Sequence, residues 1–314
     1  MFSRVAILGI GLLGSSVARA IKRAHLAKHI AGHDRNKAYL KAAQSMHFAD
    51  SLTDSASAAV KGADLVILAT PVGAFGAIAR AIAPYLKPGA IVTDVGSVKG
   101  AVIADVGPHL PKNVHFIPSH PIAGTERSGP DAGFAELFDG RWSILTPPKG
   151  AKKSAVATLK KFWEKLGSKV DIMDAKHHDL VLAVTSHVPH LIAYNIVGTA
   201  DDLRNVTQGE VIKYSAGGFR DFTRIAASDP TMWRDVFLNN KDAVLEVLGR
   251  FSEDLHALQR QIRWGEGDAL FALFTRTRAI RRSIVEAGQD SATVNFGRTP
   301  QPKPVKKKLA KKKR

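Results

Sequence analysis

The chain has 314 residues, an apolar share of 45% and a charged share of 23%, which suit a soluble globular protein with room for two domains. No cysteine is present, which excludes disulfides, iron–sulfur ligation and thiolate catalysis and fits a reducing cytoplasm. The formal net charge of +17 raises the question of a nucleic-acid partner, and the answer depends on where the charge lies.

The N-terminal stretch MFSRVAILGIGLLGSS is apolar but has no separate charged region and no cleavage-site pattern, so it reads as a strand and turn rather than a signal peptide. A strand over Arg4–Leu8 runs into Gly9-Ile10-Gly11-Leu12-Leu13-Gly14, and a helix follows over Leu13–Arg23. In this spacing the first glycine permits a tight turn, the second lets the backbone approach a pyrophosphate, and the third allows close helix–strand packing. The free N–H groups at the helix start suit phosphate oxygens. A second strand, His29–His33, ends at Asp34, twenty residues past Gly14. A carboxylate there accepts hydrogen bonds from ribose hydroxyls and repels a 2′-phosphate, which favours NAD over NADP; the adjacent Arg35 tempers that preference.

Helix Lys37–Ser45, strand Leu65–Ala69, helix Val72–Ala83, strand Ala90–Val95, helix Lys99–Val106 and strand Val114–Pro118 continue the alternation. Weaker strands at Trp142–Thr146 and Lys169–Ile172 flank a helix at Lys152–Leu166. This is the pattern of an α/β, Rossmann-like, doubly wound and mostly parallel sheet. Ligands of such sheets lie outside the carboxyl ends of the strands. Thr70 and Pro71, Ser97 and Lys99, and the loop from Ser119 through His120 to Thr125 and Glu126 are therefore expected near the cofactor and substrate. Ser97 or Lys99 could equally cap the following helix. His120 has the chemistry of a general base, because a neutral imidazole can accept a hydroxyl proton.

From Asp174 onward the spacing becomes helical, with stretches over 175–200, 201–216, 231–263 and 266–288, which predicts an all-α second domain. The uncharged run Val181–Ala200 contains His187, Pro189, His190, Tyr194 and Asn195, too polar for a membrane span, and is expected as a buried helix that carries function. His187 and His190 share a face, but no third metal ligand is evident, so polar groups lining a cleft are expected and no metal. Arginines among Gly217–Ala226 and Ser228–Asp235 suit carboxylate binding, with Arg220 and Arg234 assigned to surface salt bridges. Residues 303–314 hold eight Lys or Arg and no acid; without them 37 basic residues face 28 acidic ones. The tail is expected to be a disordered solubilising extension rather than a nucleic-acid arm, and the remaining surplus suits an anionic substrate. The expected division is 1–173 for the dinucleotide domain, 174–293 for the helical substrate and dimerisation domain, and 294–314 for the tail.

Read together, GIGLLGSS, ATPV, DVGSVK, SHPIAGTERSG, TSHVPHLIA, GGFRDFTRIAASDPTMWRDVF and TRAIRR resemble the prephenate (cyclohexadienyl or arogenate) dehydrogenases of tyrosine biosynthesis. These stretches span residues 5 to about 288, nearly all of the chain outside the tail. The resemblance implies an NAD-dependent oxidative decarboxylation in which His120 takes the ring hydroxyl proton and Ser97 hydrogen-bonds beside it. It places His190 and Arg224 on the substrate, Arg224 through a carboxylate. Glu126, Asp221 and Trp233 shape or gate the pocket, with Thr125 and His187 among the substrate contacts. Gly9, Gly11, Leu12, Leu13, Gly14, Asp34, Arg35, Thr70, Pro71 and Ser97 are the implied cofactor contacts. A homodimer without a fused mutase or regulatory domain is expected. Prephenate and arogenate stay open as substrates. The rival readings are a β-hydroxyacid dehydrogenase type, for which Lys213 is the obvious lysine, and a non-catalytic dinucleotide sensor.

Overall fold

The computed structural model describes residues 1–203, 210–215 and 217–286; the expected basic tail lies outside them. Six parallel strands form the main sheet in the order β3-β2-β1-β4-β5-β6: β1 is Phe2–Leu8, β2 Ala27–His33, β3 Ser51–Thr53, β4 Leu65–Leu68, β5 Ile91–Asp94 and β6 His115–Phe116. Helices α1 (Leu12–Arg23), α2 (Lys37–Met46), α3 (Ala56–Val60), α4 (Phe75–Ile82) and α5 (Gly100–Val106) make the connections. The short β3 and α3 have no counterpart in the expected elements; each is too short to show a period of its own.

The central strands are buried on both faces, and alternate residues enter opposite cores, as a two-residue period requires. Val5 and Ile7 of β1 join Leu65 and Ile67 of β4 in one apolar cluster, together with Val17 and Ile21 of α1. Ala6, Leu8, Val66 and Leu68 point the other way, against Phe75 and Ile82 of α4 and Val102 and Val106 of α5. The sheet order reverses between β1 and β4, so the loops that leave Leu8 and Leu68 diverge at the switch point where open α/β sheets bind ligands.

The expected fifth strand, Val114–Pro118, divides. Pro118 has no N–H to give to a ladder, and β6 pairs only at His115 and Phe116. The chain then enters a second, three-stranded sheet of β7 (Ser119–Pro121), β8 (Trp142–Leu145) and β9 (Lys169–Ile172), with β7 antiparallel to β8. Helix α6 (Lys153–Lys165) links β8 to β9 and buries Phe162 and Trp163 completely. His120 thus lies on the small sheet rather than at the edge of the large one.

Asp174 caps α7 (Ala175–Leu182) by accepting the His177 N–H at 2.9 Å. One π turn, Ala183–His187, joins α7 to α8 (Val188–Asp202). Pro189 sits in the first turn of α8, and because it lacks an N–H and its ring crowds the preceding turn, a widened turn suits this position. The stretch Ala175–Asp202 is long and apolar enough by length and composition to cross a membrane, yet only 28% of its most apolar window is buried. The expectation of a buried helix is corrected on that point, for Ile196 and Val197 are exposed. Helices α9 (Glu210–Lys213), α10 (Gly217–Thr223), α11 (Pro230–Asn239), α12 (Lys241–Trp264) and α13 (Gly267–Glu286) follow. The expected continuous helix over 231–263 breaks at Asn240, whose backbone leaves the helical region at φ −120°.

Chain contacts divide the molecule into Met1–Leu248 and the segment from Gly249 onward. The described part of the second unit consists of the end of α12, α13 and the turn between them, where Gly265 adopts φ +67°. Its side chains Leu255, Ile262, Trp264, Phe271 and Phe274 are exposed.

Candidate active site

The glycine-rich turn has the steric character that a dinucleotide needs. Gly9 adopts φ +98°, and a side chain there would strike the Ala69 carbonyl at 2.7 Å. A Cβ on Gly14 would sit 1.8 Å from the Gly9 carbonyl oxygen, so helix α1 can approach β1 only with glycine at that position. Nothing lies within 4 Å of a Cβ built on Gly11, which leaves its backbone open to a ligand. No side chain caps α1, so its first N–H groups stay available for phosphate oxygens. Leu12 and Leu13 are the first residues of that helix, and both are half-buried. At the end of β2, Asp34 accepts the Ile10 N–H at 3.0 Å through Oδ2 and the Asn36 N–H at 2.8 Å through Oδ1. The carboxylate is thereby held beside the glycine turn, while Arg35 is exposed. Thr70 and Pro71 follow β4, with Pro71 exposed. These residues fit a dinucleotide.

At the carboxyl end of β5, Asp94 and Lys99 form a fully buried ion pair. Lys99 Nζ also donates to the Ser119 carbonyl at 2.7 Å, while Asp94 accepts the Gly96 and Ser119 N–H groups. Burial pushes the Lys99 pKa down and the Asp94 pKa up, against the attraction between the two. Lys99, expected near the cofactor and substrate or as a cap of the next helix, holds the N-cap position of α5 without a side-chain cap, and its length lets it fold beneath the loop onto Asp94. Ser97, between the two, is half-buried. The Ser119 hydroxyl joins the same network, donating to the Asp94 carbonyl at 2.6 Å and accepting from Trp163 Nε1 at 3.2 Å. This tether carries β7, and with it His120.

His120 is 8% exposed, and its Nδ1 lies 2.9 Å from Nε2 of His178. His178 Nδ1 in turn lies 2.8 Å from Oδ1 of Asp179. Burial, followed by the fields of His178, Lys99 and His187, holds the His120 pKa well below the usual imidazole range. The imidazole is therefore neutral at physiological pH. Asp179 also accepts the N–H groups of Lys99 and Gly100, each at 2.8 Å.

His187 is fully buried. Its Nδ1 lies 3.0 Å from Nδ2 of Asn240, which donates to the Asp179 carbonyl at 2.8 Å. Burial lowers the His187 pKa to about 4, and its Nε2 is buried without a hydrogen-bond partner among the described residues. His190 stacks on Trp233 with ring centroids 3.7 Å apart, and Trp233 Nε1 is likewise buried without a partner. Arg224 forms an ion pair with Glu126 at 2.8 Å, joining the loop after β7 to the turn that precedes α11. Its charge is felt at His190, whose pKa is lowered first by burial and then by Arg224. Thr125 is exposed beside Glu126 and accepts the Arg127 N–H. Asp221 pairs with the exposed Arg220, and Arg234 pairs with Asp235. Both arginines thus make the surface ion pairs expected of them.

His178, Asp179 and Asn240 escaped the sequence reading. The His-His-Asp step in AKHHDLVL was the available signal, but nothing in its spacing tied it to a strand 58 residues earlier. Asn240 interrupts an apolar helical period and was absorbed into it. Among the described residues no group of three or more His, Asp or Glu side chains could hold a metal ion.

Two family models match: one described as "Prephenate dehydrogenase, nucleotide-binding domain" over residues 17–172 and one described as "Prephenate dehydrogenase, dimerization domain" over residues 174–276. A cyclohexadienyl dehydrogenase of Zymomonas mobilis is 42% identical over 90% of this chain and 97% of its own length. A prephenate dehydrogenase of Bacillus subtilis is 34% identical over 90% of this chain and 76% of its own. The fold is similar to a crystal structure of prephenate dehydrogenase from A. aeolicus in complex with hydroxyphenyl propionate and NAD⁺. That match has a TM-score of 0.84 and 36% identity, and covers 90% of this chain and 99% of that one.

Proposed function

The chain belongs to the prephenate dehydrogenase family, and from that membership we propose how its own residues carry the NAD-dependent oxidation and decarboxylation of prephenate. NAD, when bound, supplies the hydride acceptor. Gly9, Gly11, Leu12, Leu13 and Gly14 would hold its pyrophosphate and Asp34 the adenosine ribose, and Arg35, Thr70, Pro71 and Ser97 would complete its contacts. Asp34 still has lone pairs for ribose hydroxyls after its two backbone contacts, and its charge opposes a 2′-phosphate.

His120 accepts the proton of the ring hydroxyl. Its Nδ1 is engaged by His178, so Nε2 is the nitrogen free to act. Ser97 orients the hydroxyl. Arg224 binds a substrate carboxylate in place of part of its pairing with Glu126, and His190, stiffened by its stack on Trp233, contacts the ring substituents. Thr125, Asp221 and His187 complete the lining. Loss of carbon dioxide aromatises the ring, gives 4-hydroxyphenylpyruvate and makes the sequence effectively irreversible. The observation that carries this reading is the almost fully buried imidazole of His120, tethered through Ser119 to the carboxyl end of β5 and engaged at Nδ1 by His178, which leaves Nε2 to act.

The helical part, 174–293 by the sequence reading, forms a homodimer, consistent with the exposed apolar side chains of α8 and α12 and with the description of the matching family model. A cytoplasmic setting accords with the absence of cysteine. Purified protein supplied with NAD⁺ and prephenate should give a steady rise in NADH absorbance, and arogenate in parallel assays would set the substrate preference. No NADH from either substrate, with turnover of 3-hydroxyacids instead, would overturn the assignment.

A further inference from the structure

We propose that His178 and Asp179 are positioning residues that hold His120 in the tautomer protonated at Nδ1, leaving Nε2 a bare acceptor for the substrate proton. The proposal rests on the assignment of His120 as the base and deepens it.

Three N–H groups converge on Asp179: the backbone amides of Lys99 and Gly100, each at 2.8 Å, and Nδ1 of His178 at 2.8 Å. A carboxylate surrounded by donors can only accept, so the His178 proton sits on Nδ1. His178 is itself fully buried, and burial lowers its pKa, so the ring is neutral and its Nε2 carries no proton. A bare Nε2 can only accept, and the group 2.9 Å away is Nδ1 of His120, which must donate. The proton of His120 is thereby assigned to Nδ1, and Nε2 keeps its lone pair.

The same relay supports the product of the proton transfer. When the O–H bond of the substrate breaks and its proton bonds to Nε2, His120 becomes an imidazolium whose Nδ1–H already points at an acceptor. That acceptor is polarised by Asp179 through the His178 ring, and no proton need move beyond His120. The charged and titratable groups around the pair are Asp179 of α7, His187 of the π turn, Lys99 before α5 and Asp94 at the end of β5. His178, Lys99 and His187 all oppose charge on His120, so what the relay supplies is a hydrogen-bond acceptor, the bare Nε2 of a neutral His178, for the Nδ1–H of the transient imidazolium.

The test reads the tautomer directly. Whole enzyme labelled with ¹⁵N-histidine, with His120→Asn to assign the resonance, should show His120 protonated at Nδ1 and unprotonated at Nε2 at neutral pH. Asp179→Asn removes the charge that polarises His178 and sets an amide NH2 against a backbone N–H, of Lys99 on one side or Gly100 on the other, so it loosens the hold on both tautomers. It should lower kcat on the order of 10²–10⁴-fold while KM for both substrates stays within about threefold, in an enzyme that still melts cooperatively. A wild-type His120 carrying its proton on Nε2 overturns the proposal whether or not the variant folds. So does a folded Asp179→Asn enzyme with unchanged tautomers and kcat. If the wild-type tautomer is as expected but His120→Asn keeps its kcat, the base assignment fails while the hydrogen-bond chain stands.

Discussion

Among individual residues, the site is notable for how many imidazoles are forced to stay neutral. Burial lowers the pKa of His120, His178, His187 and His190, and for His187 the value reaches about 4. The unfolded chain binds those protons near pH 6.5 and the folded chain does not, so the unfolded state gains stability as pH falls through that window. Stability should therefore be flat above about pH 7 and decline below about pH 6.5. His187 alone would account for about 3 kcal/mol by pH 4, on a conversion of about 1.4 kcal/mol per pKa unit. Urea midpoints measured between pH 4 and 8 check this; a midpoint that rises on acidification would show that these histidines are not buried neutral. The glycines, Asp34, Ser97, His120, His190 and Arg224 are expected at the site from sequence because each falls at a strand end or in a dense motif. His178, Asp179 and Asn240 are not, since their meaning depends on partners 58, 80 and 53 residues away.

In the secondary-structure elements, legibility follows length and period. The buried parallel strands β1, β2, β4 and β5 and the helices α1, α2 and α6 show their spacing clearly, and the expected spans lie within a few residues of those found. What failed were junctions. The transfer from β6 to β7 depends on Pro118 and on the Ser119 tether to Asp94, a tertiary effect that no local period records. The breaks at the π turn and at Asn240 likewise interrupt apolar patterns that continue through them. Both breaks place side chains in one buried hydrogen-bond network: the π turn ends in His187, and Asn240 binds both that ring and the Asp179 carbonyl. Lys99 takes the N-cap position of α5 that the sequence left open, but its side chain turns inward onto Asp94, a tertiary contact that no local pattern records.

For the molecule as a whole, the outstanding feature is the number of apolar side chains exposed on the helices of both units. Leu180, Val184, Ile196, Val197, Leu238 and Leu245 are exposed in the first unit, and Leu255, Ile262, Trp264, Phe271 and Phe274 in the second. In each unit taken by itself, uncovered hydrophobic surface of this kind is what the proposed dimer would bury. In solution the protein should have twice the 33.8 kDa of one chain by light scattering at micromolar concentration, and a monomer under those conditions would contradict the dimer.

Turnover in this scheme depends on His120 as the proton acceptor. Steady-state kinetics of His120→Asn with prephenate and NAD⁺ should show kcat reduced by at least about 10²-fold, with KM for both substrates within about threefold of the wild type. A variant that folds like the wild type and keeps its kcat, or that loses only affinity, would contradict it.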